Sequence, residues 1–264
     1  MMKELDNTQL VISNRTHSFV APSGHSYTIR EQNGEDEDIL SNPKDAKNLM
    51  NITKFISSIV VDTDFTENHR LTVEDTLNLP FLDRYVILIN SRIFSMGNTL
   101  EFEFTWGGEK VPVVYEEDLT NFIFDNYGEL PSDDEVENKP NAVPYYPSGK
   151  QIKDICINLS TGKVLYFDLL NGYGEQFIMR LSEDKQTRNA ELMARNLKLV
   201  VNGNPEKVTN FRCFTVREMA EIRKFISAND PTWYGMTELE NPRTGEKTTY
   251  PIMAAKSFFY LTEA

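Results

Sequence analysis

The sequence predicts an α+β protein built from two tandem copies of one module, each copy consisting of two β-hairpins packed with two or three helices. Two turn signals recur at nearly one offset, 138 (171 − 33) for the first and 137 (245 − 108) for the second. The first signal is a glycine followed nine positions later by Asn-Gly, and the second is Gly-Glu-Lys. The residues are Gly24 with Asn33-Gly34, Gly162 with Asn171-Gly172, Gly108-Glu109-Lys110 and Gly245-Glu246-Lys247. Because both signals keep their register, they indicate a tandem duplication.

Proline and acidic residues mark the boundary between the copies. Residues 128–150 contain four prolines and the acidic run Asp133-Asp134-Glu135-Val136-Glu137, and they show no helix or strand periodicity. This composition is typical of a linker. The predicted organisation is an N-terminal arm (1–15), copy one (16–127), the linker (128–150) and copy two (151–264).

In copy one, alternating apolar residues predict a first hairpin at 18–30, with its turn at Ala21-Pro22-Ser23-Gly24. The acidic residues after Asn33-Gly34 favour a helix start, since they complement the helix dipole. Apolar residues spaced by three and four predict helices in 43–59 and 78–97. A second hairpin around Gly107-Gly108 and a short helix that begins near Leu119 complete the copy.

In copy two, the same reasoning predicts a hairpin at 158–168 around Ser160-Thr161-Gly162, and helices at 190–201 and 215–227. Shifting the last helix back by 137 places its apolar positions on those of the helix in 78–97. The repeated apolar positions are predicted to be buried, and they are Leu82, Leu88, Ile89, Met219, Phe225 and Ile226.

The charge balance argues against a nucleic-acid partner. The chain has 27 basic and 40 acidic residues, a formal charge of −13, whereas phosphate binding requires clustered Lys and Arg. An anionic membrane surface is disfavoured for the same reason. Residues 1–6 lack the apolar stretch of a secretory signal. Cys156 and Cys213 lie beside apolar residues and are expected to be buried free thiols, so a cytoplasmic protein is expected.

The sequence shows no pattern typical of catalysis or of metal binding. His17, His25 and His69 do not stand in metal-ligand spacing, and no nucleophile elbow, phosphate loop or dinucleotide motif is present. The acidic run Glu35-Asp36-Glu37-Asp38 lacks the alternating ligands of a calcium loop. The prediction is therefore a protein without catalytic residues, metal or cofactor.

Aromatic residues in predicted loops are the candidate partner-binding residues. Trp106 is expected at a hairpin tip, Tyr145 and Tyr146 stand between two prolines of the linker, and Trp233 and Tyr234 follow a helix of copy two. Exposed aromatic side chains dominate binding hot spots. On this interpretation Trp106→Ala leaves the thermal midpoint unchanged but blocks assembly. The alternative is that each aromatic residue packs on its own domain.

Three segments of copy one carry a resemblance to a known family. They are Pro22-Ser23-Gly24 followed by a strand and Asn33-Gly34-Glu35, then Leu82-Asp83-Arg84 through Arg92 to Met96-Gly97, and finally Trp106-Gly107-Gly108-Glu109-Lys110. In order, they resemble the T-even-type baseplate hub family of contractile-tailed phages. In copy two the offset of 137 places Ala220 over Asp83 and Asn229 over Arg92, so both charges of the pattern are expected to be lost there.

The resemblance implies a non-enzymatic protein that assembles the tail baseplate or hub through contacts with other tail or baseplate subunits. Such a protein would be found in the host cytoplasm during assembly, and in the virion if it is a structural subunit. One alternative is a tail-assembly chaperone that holds the tape-measure protein and is absent from the mature particle. Another is a hydrolase that uses acidic residues, for which a pocket with converging Asp and Glu side chains would be needed.

Overall fold

The computed structural model describes residues 15–260. The predicted N-terminal arm, apart from Arg15, lies outside the described residues. The helices are α1 (Gly34–Ser41), α2 (Pro43–Ala46), α3 (Met50–Ile59), α4 (Val73–Asn78), α5 (Phe81–Met96), α6 (Asp133–Asn138), α7 (Gly172–Arg180), α8 (Arg188–Ala194) and α9 (Val216–Asn229). Within these residues, no helix combines the length and the apolar character that crossing a membrane requires.

Within residues 15–260 the strands form four antiparallel sheets. They are β1 (Thr16–Val20), β2 (Ser26–Arg30), β3 (Val60–Thr63), β4 (Thr99–Phe104), β5 (Val113–Asp118), β6 (Ile155–Asn158), β7 (Val164–Phe167), β8 (Lys198–Val201), β9 (Asn204–Lys207), β10 (Met236–Glu240) and β11 (Lys247–Pro251). The strand orders are β1-β2-β3, β6-β7-β8-β9, β4-β5 and β10-β11. Helices beside antiparallel hairpins confirm the predicted α+β class.

A shared series of elements occurs in residues 16–127, here called half one, and in residues 151–260, here called half two, although half one also contains α2 and α4 and half two also contains β9. Each half has a hairpin, an Asn-capped helix, a further helix, a third strand on the hairpin, a long helix and a second hairpin. The starts of β7, α7 and β8 follow those of β2, α1 and β3 by 138 (164 − 26, 172 − 34, 198 − 60). Descent of the halves from one duplicated module stays a prediction.

The recurring glycine and Asn-Gly have a local physical reason. Gly24 (φ +79) and Gly162 (φ +85) occupy the left-handed conformation at the tip of the first hairpin of each half, where a side chain would be strained. Asn33 and Asn171 then cap α1 and α7, and their side chains accept hydrogen bonds from backbone N–H groups of the first turn. The interval of nine residues therefore spans the second strand of the hairpin and the start of the helix.

The buried apolar side chains of both halves belong to one continuous core. The predictions for the long helices are confirmed at five of the six positions, because Leu82, Leu88, Ile89, Met219 and Ile226 are buried. Phe225 is half-buried and packs against the same core.

Residues 128–150 connect the halves but are more ordered than the predicted linker. They contain α6, and Val143 is fully buried. The backbone N–H of Val143 donates to the carbonyl of Phe122 (2.9 Å), and that of Tyr146 donates to the carbonyl of Pro22 (3.1 Å). The segment therefore lies along half one as part of its structure.

The two cysteines are exposed, so the expectation of buried thiols is wrong. Cys156 lies in β6 between the buried residues Ile155 and Ile157. Successive side chains of a strand point to opposite faces, so burial of both neighbours places the thiol of Cys156 on the outer face.

Candidate functional site

Trp106 is buried, so the expectation of an exposed hairpin tip is wrong. The side chain is 3% exposed, and its Nε1–H donates to the hydroxyl of Tyr115 (2.8 Å). The Tyr115 hydroxyl in turn donates to the carbonyl of Glu240 on β10 (3.0 Å). Trp106 therefore helps to hold the β4-β5 hairpin of half one against the β10-β11 hairpin of half two.

Tyr146 and Trp233 are also buried, which corrects the expectation for both. The Tyr146 hydroxyl accepts a hydrogen bond from the backbone N–H of Leu82 (3.0 Å). Trp233 donates its Nε1–H to the carbonyl of Asn141 (2.8 Å). Its ring centroid lies 5.1 Å from that of Tyr85 on α5. These aromatic residues join parts of the chain to each other.

Tyr145 is half-buried against the core, and Tyr234 is the only one of the five candidates left in water. The Tyr234 side chain is 74% exposed. Its neighbours are fixed, because Trp233 is anchored and Gly235 (φ +56) packs so closely that an added Cβ would lie 2.6 Å from the Trp233 ring. The structure therefore presents Tyr234 between two residues whose positions are set by packing and hydrogen bonds, since Trp233 binds Asn141 and the Gly235 carbonyl accepts from the N–H of Ile252.

A carboxylate at the third position of each long helix is a feature that the sequence reasoning missed. In half one Asp83 accepts hydrogen bonds from the Ser23 hydroxyl (2.5 Å), the Ser23 backbone N–H (3.0 Å) and the Tyr27 hydroxyl (3.0 Å). In half two Glu218 accepts from the hydroxyl of Thr161 (2.7 Å), which follows Ser23 by 138 (161 − 23). Each carboxylate thus fastens the first hairpin turn of its half to its long helix.

The expected alignment of Asp83 with Ala220 is therefore wrong. Glu218 stands at the same helix position as Asp83, at an offset of 135 (218 − 83). The signal that finds it is the capping box, in which the Thr215 side chain accepts from the N–H of Glu218 and Glu218 accepts from the N–H of Thr215. The acidic charge of the pattern is present in both halves.

The two carboxylates sit in different electrostatic environments. Burial raises the pKa of Asp83 to about 7, although its hydrogen bonds to Ser23 and Tyr27 oppose the shift. Hydrogen bonds from the Thr215 N–H, the Thr161 hydroxyl and the Lys163 ammonium lower the pKa of Glu218 to about 2. Because Asp83 is fully buried, this network positions backbone and offers no access to a substrate.

Asp83→Asn should remove a pH dependence from the stability of the protein. A folded pKa of about 7 lies above the ordinary 3.8, so the stability contribution is complete below the unfolded pKa and is lost as the pH rises towards the folded pKa. Between about pH 5 and pH 8 the wild type should lose about 2–3 kcal/mol more than the variant. Urea unfolding of both proteins at the two pH values measures this difference. If the free energy of unfolding changes equally with pH in both proteins, the raised pKa of Asp83 is contradicted.

An open cleft of about 500 Å³ lies in half two between the start of α7, the end of α8 and the β6-β7-β8-β9 sheet. Most of its lining is polar, and the lining residues are Asn78, Lys153, Asp168, Leu169, Asn171, Tyr173, Gly174, Phe177, Met193, Ala194, Asn196, Lys198 and Lys207. Lys198 on β8 and Lys207 on β9 are direct cross-strand partners. Like charges in that position destabilise a strand pair.

Only one of the three lysines of the cleft is neutralised by carboxylates of the described chain. Lys198 lies 2.6 Å from Asp154 and 3.8 Å from Asp168. Burial lowers the pKa of Lys198, but its hydrogen bond to Asp154 and the nearby charges outweigh burial and raise it. Within residues 15–260, Lys153 and Lys207 are exposed and form no ion pair.

A smaller, mainly apolar cavity of about 190 Å³ lies between the halves. It contains the ion pair of Arg84 and Glu175, whose Nε and Oε2 atoms are 2.8 Å apart. Asp168 is the one carboxylate of the cleft, and Glu175 is the one carboxylate of this cavity. Neither space brings together the two carboxylates that the hydrolase alternative needs.

In residues 15–260, no three His, Cys, Asp or Glu side chains are arranged to hold a metal ion. Comparison of the chain with protein-family models, with curated proteins and with solved structures gave no significant match.

Proposed function

We propose that the protein is a non-enzymatic assembly protein of a contractile phage tail, and that it acts in the baseplate or hub through contacts with other tail proteins. The observation that carries the binding role is the exposure of Tyr234 beside the anchored Trp233. Large aromatic side chains that become buried on binding dominate interface energetics.

The rigidity of the rest of the molecule supports the same proposal. The halves share one core, and Trp106, Tyr146 and Trp233 are used within the chain. Partner contacts must therefore use surface residues that the fold leaves exposed, of which Tyr234 is a large one.

The contractile-tail context rests on the resemblance of Pro22-Ser23-Gly24, Leu82-Asp83-Arg84 and the hairpin tip at Trp106 to the T-even-type hub family. Two of these segments meet in the structure, because Asp83 binds Ser23. In half two the equivalent contact joins Glu218 to Thr161. The contact between the first hairpin turn and the long helix, which Ser23 and Asp83 of the resembling segments form in half one, is therefore also formed in half two.

Tyr234→Ala should weaken partner binding without unfolding the protein. The side chain is mostly in water, so the free energy of unfolding should change by less than about 0.5 kcal/mol. Loss of a hot-spot aromatic should weaken binding by about 2 kcal/mol or more. The measurements are thermal melting of the isolated variant and its co-purification with tail proteins from cells that produce them.

Leu130→Ala is the matched control, because Leu130 is equally exposed at 73% and lies on another surface segment. It should retain the partner. If Tyr234→Ala co-purifies with as much partner as the wild type does, the proposal is contradicted. Detection of the chain in purified virions distinguishes a structural subunit, which is present, from a tail-assembly chaperone, which is absent.

A further inference from the structure

Three residues that line the cleft of half two correspond in sequence to a charged side-chain network of half one. Arg30 donates to both carboxylate oxygens of Asp36 (2.7 and 2.8 Å) and to the hydroxyl of Ser58 (2.7 Å). Asp36 is fully buried there. This network closes the space between β2, the start of α1 and the end of α3.

At the offset of 138 the three residues of that network correspond to Asp168, Gly174 and Asn196 (168 − 30, 174 − 36, 196 − 58), and all three line the cleft. Asp168 still accepts a hydrogen bond from Asn196 (2.9 Å). Gly174 contributes no side chain, and an added Cβ would lie 2.6 Å from Leu170 and 2.8 Å from the carbonyl oxygen of Ala194. Half two therefore has glycine where half one has the buried carboxylate of Asp36, and Leu170 and the Ala194 carbonyl occupy the space that such a side chain would need.

We infer that the cleft of half two is a binding site for an acidic peptide segment. Lys153 and Lys207 bring positive charge that no carboxylate of the described chain neutralises, in a protein whose formal charge is −13. Lys207 lies directly across the strand pair from Lys198, whose charge is balanced by Asp154 and Asp168, so the uncompensated charge on this side of the cleft is that of Lys207.

The remaining lining favours a peptide over a simple phosphate. The amide groups of Asn78 and Asn196 both donate and accept hydrogen bonds, whereas a phosphate offers mainly acceptors. A peptide offers carboxylates for the lysines, backbone N–H and C=O groups for the amides, and apolar carbon for Phe177 and Met193. At about 500 Å³ the cleft is within the size range of ligand sites.

The assignment of the acidic segment to an assembly partner rests on the proposed function. The binding of an acidic peptide by the cleft does not rest on it. The test uses fluorescein-labelled hexaglutamate and fluorescence anisotropy, with the full chain at low and at high ionic strength. Saturable binding that weakens with salt is expected. Lys153→Gln/Lys207→Gln should weaken it by about tenfold or more.

The matched control is Lys185→Gln/Lys224→Gln, which removes two exposed lysines away from the cleft and should leave the affinity unchanged. If the cleft double variant does not fold, the single variants Lys153→Gln and Lys207→Gln replace it. Equal affinity of cleft and control variants, or no binding by the wild type, would overturn the inference. If pyrophosphate displaces the peptide at a much lower concentration than free glutamate does, the cleft is a phosphate site. That result would also overturn the inference of an acidic-peptide site.

Tyr234→Ala separates this inference from the proposed function. The variant should bind hexaglutamate as the wild type does while losing its tail partner. If the wild type does not bind hexaglutamate but still co-purifies with its tail partner in a Tyr234-dependent way, the cleft is not a peptide site and the proposed function still stands.

Discussion

Trp106→Ala should lower the free energy of unfolding by about 3–5 kcal/mol, the range for truncating a buried tryptophan. The variant loses the packing of the indole on Phe104, whose ring centroid is 5.1 Å away, and leaves a cavity between the second hairpins of the two halves. It also removes the donor to the Tyr115 hydroxyl. Urea unfolding monitored by circular dichroism measures the loss.

Val114→Ala is the control for Trp106→Ala, because Val114 lies on the same hairpin and is mostly exposed. It should change the stability by less than about 0.5 kcal/mol. A Trp106→Ala variant as stable as this control would mean that the indole contributes nothing to the packing of the two hairpins.

Arg84→Met should destabilise the protein by about 3–5 kcal/mol, because it leaves the mostly buried carboxylate of Glu175 without its partner. Arg84 binds Glu175 and also donates to the Thr76 carbonyl (3.0 Å) and the Thr53 hydroxyl (3.2 Å). Burial raises the pKa of Glu175, and the charge of Arg84 opposes that rise. Without Arg84 the pKa of Glu175 should rise further, so the loss should be larger at alkaline than at acidic pH.

The double variant Arg84→Met/Glu175→Met tests whether the loss comes from the orphaned carboxylate. It should recover much of the stability, since replacing a buried ion pair by apolar side chains is often neutral. Thermal unfolding of the two single variants and the double variant forms a mutant cycle. Additive losses would show that Arg84 and Glu175 do not couple the halves.

The sequence was most informative where local physics decides the structure. Gly24 and Gly162 are needed for the left-handed turn, and Asn33 and Asn171 are needed as helix caps, so these residues mark equivalent places in both halves. Apolar spacing likewise placed Leu82 and Ile89 in the core.

The sequence was least informative about contacts between distant segments. Nothing near Trp106 in the sequence shows that its hairpin meets β10, and this contact converts an expected docking residue into a core residue. The same holds for Trp233, whose hydrogen-bond partner Asn141 is 92 residues away.

A difference in the length of the segment before the long helix explains the wrong alignment, since this segment contains α4 in half one and β9 in half two. From the end of β3 to the start of α5 the chain advances 18 positions (81 − 63), but from the end of β8 to the start of α9 it advances 15 (216 − 201). The offset between equivalent residues of the two halves therefore falls from 138 at the third strand to 135 at the long helix. A fixed shift of 137 consequently missed Glu218 and placed Ala220 opposite Asp83.

Site-specific photo-crosslinking at position 234 tests whether the protein functions by binding another tail protein through the Tyr234 loop. A photoreactive phenylalanine analogue replaces Tyr234 in one variant and Leu130 in a control, and each is irradiated in cells that produce the tail proteins. We expect one major adduct with a tail or baseplate protein from position 234 and no such adduct from position 130. The absence of an adduct at 234, or the same adducts from both positions, would contradict the proposed role of Tyr234.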